Sequence, residues 1–171
     1  MAVPNQLINN KKERMNYLGI NKQKVTPVVS ELNNLLCNYH VYYQNLRNFH
    51  WNIQGENFFD LHNKFEELYN DARLKIDEIA ERILTLRHRP LSRLTDYLAI
   101  AKIPEATLIA EDRKMVLIIL ENHQMLIENL RNVIKTAGKV EDEGTIDMAG
   151  SFLENLEKIS WMLDAWATRK L

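Results

Sequence analysis

Four stretches of the chain carry apolar residues at alternating steps of three and four, the spacing of one buried face on an α-helix. In the first, the stripe is Val29, Leu32, Leu36, Tyr39, Tyr43, Leu46 and His50. Thr26 suits its N-cap and Pro27 its first helical position, and Gly55 suits a left-handed cap just past an end near Ile53. The second runs from Phe58 to Leu86 with Leu61, Phe65, Leu68, Ala72, Ile76, Ile79, Ile83 and Leu86 on one side. The third spans Thr107 to Thr136, with Ile109, Val116, Leu120, His123, Ile127, Leu130 and Ile134, and Gly138 closes it. The fourth spans Thr145 to Ala167, with Met148, Phe152, Leu156, Ile159, Leu163 and Trp166. Arg87-His88-Arg89-Pro90 interrupts the pattern. Beyond it Ser92, Leu94, Tyr97 and Leu98 indicate a short helix inside a connection long for a bundle.

The pattern predicts an all-α chain: a ferritin-like four-helix bundle with a short extra helix in the long connection between helices two and three. At 171 residues, 46% hydrophobic and 26% charged, the chain has enough apolar material for one domain with a real core. A net charge of −1 argues against a general polyanion binder. Cys37 stands alone, so no disulfide forms within the chain, and a cytoplasmic home is expected. The N-terminus lacks the apolar segment of a signal peptide, and the longest apolar run, Met115 to Leu120, is too short to span a membrane. Residues 1–26 are expected to form a basic N-terminal tail, with 27–171 forming the bundle. Lys11, Lys12, Arg14, Lys22 and Lys24 against Glu13 give the tail a formal +4. It reads as a solvated arm or as a weak contact for phosphates.

Chemistry enters with His50, His62, Glu66, Asp77 and Glu81. On one helix from Phe58 to Leu86, His62 and Glu66 lie one turn apart, as do Asp77 and Glu81, along nearly the same side. The two pairs are centred roughly 22 Å apart at about 1.5 Å per residue, far more than a metal site spans with ligand bonds of about 2 Å. One chain thus offers two half-sites. His62 and Glu81, like Glu66 and Asp77, lie equally far from the midpoint between Asp71 and Ala72. A two-fold axis there would set His62 opposite a partner's Glu81 and Glu66 opposite a partner's Asp77. Phe58, Phe59, Phe65, Tyr69 and Ile76 are expected to pack around that axis. The same spacing also describes an ordinary solvated helix face, and on spacing alone both readings stand. His50 ends a buried stripe beside this cluster, and Trp51 next to it reads as core. His123 has no acidic residue at ligand spacing and reads as a structural histidine; His88 reads as exposed. No histidine follows an acidic residue by three positions, so the Glu-x-x-His motif of a di-iron site within one bundle is missing.

The run HWNIQGENFFDLH, the Glu66 region and DEIAER resemble the Dps family (DNA-protection-during-starvation proteins, or mini-ferritins), and the helix order extends the resemblance over nearly the whole chain. The resemblance implies a hollow dodecamer that stores ferric mineral in the bacterial cytoplasm or nucleoid. It implies a ferroxidase site for two iron ions shared across a two-fold interface, with His50, His62 and Glu66 from one subunit and Asp77 and Glu81 from its partner. Family members usually carry aspartate where this chain has Glu66, which bears on metal spacing and occupancy. Many are glycine-rich where it has Arg87-His88-Arg89. Imidazole and carboxylate ligands suit Fe(II), with zinc as a competitor, and the resemblance implies hydrogen peroxide as the preferred oxidant. Asp142, Glu143, Asp147 and Glu154 are candidates for a cation pore, although acidic residues at a helix start also simply suit its dipole. The rival function is a nucleoid-associated protein that binds DNA through its basic tail.

Overall fold

Helices form where the periodicity places them. They are α1 Thr26–Asn52, α2 Phe58–Thr85, α3 Leu94–Ile100, α4 Asp112–Gly138 and α5 Glu143–Ala167. The computed structural model describes residues 19–168, and among these there is no strand. The four long helices form the bundle and α3 lies in the connection between α2 and α4, as the sequence predicts. α1 packs against α2, α3 and α4, while α5 packs on α4. With three neighbours, α1 is buried well beyond its one stripe: Val28, Leu35, Val41, Tyr42 and Phe49 join the core too. Phe65, Ile79 and Ile83 of α2 meet Met115, Leu126 and Leu130 of α4 and Phe152 and Leu156 of α5 in one hydrophobic core. Among the described residues, no helix is long and apolar enough to cross a membrane.

The long connection is held by asparagines of α1. Asn38 accepts from the backbone N–H groups of Lys102 and Ile103, each at 2.9 Å, and donates to Asn129 at 2.8 Å. Asn45 accepts from the N–H of Ala106 at 2.8 Å and donates to the carbonyl of Pro104 at 3.0 Å. Asn48 donates to the carbonyl of Ala106 at 3.0 Å. Buried backbone groups outside a helix need such partners. These bonds account for one departure from expectation: α4 starts at Asp112 rather than Thr107.

One helix start also differs. Thr26 is not an N-cap, since its hydroxyl points back to the carbonyl of Lys22 and Val25 precedes the helix. Gly138 is the last residue of α4, as the sequence predicts; beyond it Glu141 takes the left-handed conformation at φ 57°, and the N–H of Asp142 closes on the carbonyl of Ala137 at 3.1 Å. Arg87 does the same after α2 at φ 65°, with His88 N–H donating to Ile83 at 3.1 Å. Both are six-to-one closures of the kind glycine usually serves. Asp142 corrects the pore expectation. It is 1% exposed, caps α5 through Thr145 and pairs with Arg82 of α2.

Residues 1–18 of the expected tail, with Lys11, Lys12 and Arg14, lie outside the described residues. Within the described part, Ile20 packs against the core and Val25 is buried. His88 is not merely exposed: it is half-buried and its Nε2–H donates to the carbonyl of Lys22 at 3.2 Å.

Candidate metal centre

The end of α1 and the first turns of α2 bring His50 and His62 together. Their rings stack with centroids 3.8 Å apart and planes 23° apart. Each ring binds the main chain of the other residue: Nδ1 of His50 lies 2.8 Å from the carbonyl of His62, and Nδ1 of His62 lies 2.8 Å from the carbonyl of His50. A carbonyl only accepts, so both Nδ1 atoms carry the proton. In the neutral rings both Nε2 atoms then keep a free lone pair, the form that ligates a metal. The geometry is that of a histidine ligand oriented by a backbone partner. It also satisfies a carbonyl in the last turn of α1, where no intrahelical donor is left.

Other rings enclose the pair. Phe58, four residues before His62, stacks on it at 5.0 Å. Tyr69 meets His50 edge-on at 5.3 Å and its hydroxyl donates to Glu66 Oε1 at 3.2 Å. Burial first, and then the bond to Glu66, hold the Tyr69 phenol above its usual pKa. Both rings are only partly buried within the chain. The i−4 and i+3 spacings to His62 and Glu66 were the signal for these contacts. Phe65, expected around the two-fold axis, is instead fully buried in its own bundle, against Phe49. Trp51 was read as core but is 60% exposed, with the Arg47 guanidinium 4.6 Å from its ring centroid.

Glu66 is exposed one turn from His62. Asp77 and Glu81 are exposed further along α2, on the side that the bundle leaves free. Among the described residues no three histidine, cysteine or acidic side chains gather to hold a metal within one chain. The structure therefore joins His50 to His62 and leaves Asp77 and Glu81 apart from them. Imidazole nitrogens beside carboxylates form a donor set that fits Fe(II).

His123 is structural, as expected. It lies 1% exposed between Tyr42, whose hydroxyl is 2.7 Å from Nε2, and Ser160, whose Oγ is 2.8 Å from Nδ1. The Ser160 hydroxyl donates to the carbonyl of Leu156 at 2.6 Å, so it accepts from His123, and Nε2 accepts from Tyr42. Burial, helped by the nearby Lys75 ammonium, pushes the His123 pKa down to about 3.

Comparison with known proteins gives a consistent picture. The ferritin-like domain family matches residues 29–170. The DNA protection during starvation protein of Porphyromonas gingivalis is 40% identical over 158 residues, covering 92% of this chain and 99% of that protein. DNA protection during starvation protein 2 of Bacillus anthracis is 38% identical over 147 residues, covering 86% and 98%. The crystal structure of the Dps protein of Vibrio cholerae O1, described as a member of a broad superfamily of ferritin-like diiron-carboxylate proteins, superposes with a TM-score of 0.87. It is 43% identical, covering 89% of this chain and 96% of that one.

Proposed function

This chain belongs to the Dps family of ferritin-like proteins, and from that membership we propose that it oxidises Fe(II) and stores the ferric product. The observation that carries the reading is the mutual main-chain clamp of His50 and His62, which leaves both Nε2 lone pairs free one helical turn from Glu66 in sequence. A symmetric dimer about the middle of α2 brings a partner's Asp77 and Glu81 to the other side of the substrate iron. His50, His62, Glu66, Asp77 and Glu81 are then the site. Carboxylates bind Fe(III) more strongly than Fe(II), so electron loss is favoured where they converge.

Hydrogen peroxide is the oxidant in this reading. Two Fe(II) supply one electron each, the O–O bond breaks, and with two protons both oxygens leave as water. Paired transfer leaves no hydroxyl radical, which is how such a protein spares nearby DNA. Twelve subunits enclosing a cavity would hold the ferric mineral, with Glu143, Asp147 and Glu154 as candidates for the cation entry and zinc as a competitor for the site. The basic stretch of sequence ahead of α1 is a candidate contact for phosphates, in a bacterial cytoplasm.

The test is an anaerobic Fe(II) titration followed by peroxide, on protein sized by light scattering. An assembly that oxidises about two Fe(II) per peroxide, faster than buffer, supports the reading. Iron oxidation at the wild-type rate by the His62→Ala, Asp77→Ala double variant would overturn it. A nucleoid protein without this chemistry would show no rate above buffer, and would lose DNA in a gel shift when residues 1–24 are removed.

A further inference from the structure

We propose that Tyr69 is a positioning residue for the metal centre, tethering the carboxylate of Glu66 to the ring that packs edge-on against His50. The inference rests on the metal reading above and adds a residue to it. Glu66 is exposed on α2, and a glutamate has one more rotatable bond than an aspartate. An untethered glutamate there would sample many directions, few of them toward the histidines.

The hydroxyl of Tyr69 donates to Glu66 Oε1 at 3.2 Å across a single turn, the i,i+3 spacing that lets helix neighbours meet. That bond leaves Oε2 and the remaining lone pairs of Oε1 for a cation. The Tyr69 ring is itself fixed. It stands edge-on to His50 at 5.3 Å and edge-on to Tyr43 at 6.1 Å, in planes 82° and 83° apart. One side chain therefore touches both kinds of donor in the half-site. It also couples the direction of the carboxylate to the position of the imidazole. An aspartate at 66, one methylene shorter, would withdraw its oxygens from the Tyr69 hydroxyl. Tyr69 and Glu66 thus act as a unit, and the phenol sets the geometry in which the longer acid is a useful ligand.

The experiment is a titration of the assembled protein with Co(II) alone, without oxygen, read by the visible ligand-field absorption of the bound ion. Wild type, Tyr69→Phe, Glu66→Asp and the double variant are compared. Tyr69→Phe removes one oxygen and keeps the ring that packs on His50 and Tyr43. It should weaken Co(II) binding about tenfold and alter the band, the size of effect seen when a metal ligand loses its outer hydrogen-bond partner. In the Glu66→Asp background the same change should alter affinity less than about twofold, because the tether is already gone. Equal affinity in wild type and Tyr69→Phe would overturn the tether. An equal loss in both backgrounds would overturn it too, since Tyr69 would then act through His50 alone. No site-specific band in wild type, or one that survives His62→Ala, would overturn the metal reading itself.

Discussion

The guanidinium of Arg82, near the end of α2, pairs with the carboxylate of Asp142, which is buried ahead of α5. Arg82 Nε also donates to the hydroxyl of Thr145 at 2.9 Å, and its head lies against Gly144, where an added Cβ would meet it at 3.0 Å. Asp142→Ala removes the cap of α5 and leaves a largely buried cation without its partner. It should lower stability by about 3–4 kcal/mol, read as a shift in the urea unfolding curve at fixed protein concentration. Asp142→Asn keeps a capping acceptor and should cost less.

A site shared across a two-fold has a stoichiometric signature. On the proposed pairing, His62→Ala and Asp77→Ala subunits should each be inactive alone. A mixed dimer holds one intact site and one doubly broken site. Random mixing of the unfolded subunits, followed by refolding, should restore about one quarter of wild-type iron oxidation. Restoration of none would place both residues in one subunit's site.

His123 makes stability depend on pH. In the unfolded chain it titrates near about 6.5. In the folded chain its pKa is about 3. Between these values the unfolded state binds more protons, so its contribution is fully present above the unfolded pKa and is lost as pH falls toward the folded one. The slope is at most about 1.4 kcal/mol per pH unit. From neutral pH to about pH 5 the wild type should lose about 2 kcal/mol that His123→Gln, which does not titrate, does not lose. Denaturant curves at the two pH values measure the difference.

Asn38→Ala strips the partner from two backbone N–H groups, those of Lys102 and Ile103. The cost should be about 1–3 kcal/mol, since the buried N–H of Ile103 loses its acceptor. Hydrogen exchange at those two amides should quicken ahead of the helices.

The bundle was legible because its apolar stripes are long and regular; residues such as Leu61, Phe65, Leu68 and Ala72 of α2 are buried as read. The start of α4 was not legible. Residues 107–111 have no helix-breaking signal of their own, and only side chains on α1, such as Asn45 and Asn48, hold the chain before them in an extended path. An asparagine within a helix ordinarily signals a solvated position, so Asn38 and Asn45 gave no hint that they are buried. His50 and His62 were legible by spacing, but their mutual main-chain bonds depend on how α1 meets α2, which no local pattern encodes. Asp142 was misread because an acid in the run Glu141-Asp142-Glu143 looks the same whether it faces water or an arginine sixty positions away.

The separation of His50 and His62 from Asp77 and Glu81 along one chain has a consequence for the life of the protein. On the proposed pairing, a newly made subunit cannot run iron chemistry. The reactive centre comes into being only when two folded copies meet. Quality control is thereby built into assembly: a misfolded or orphaned subunit is inert toward peroxide rather than hazardous.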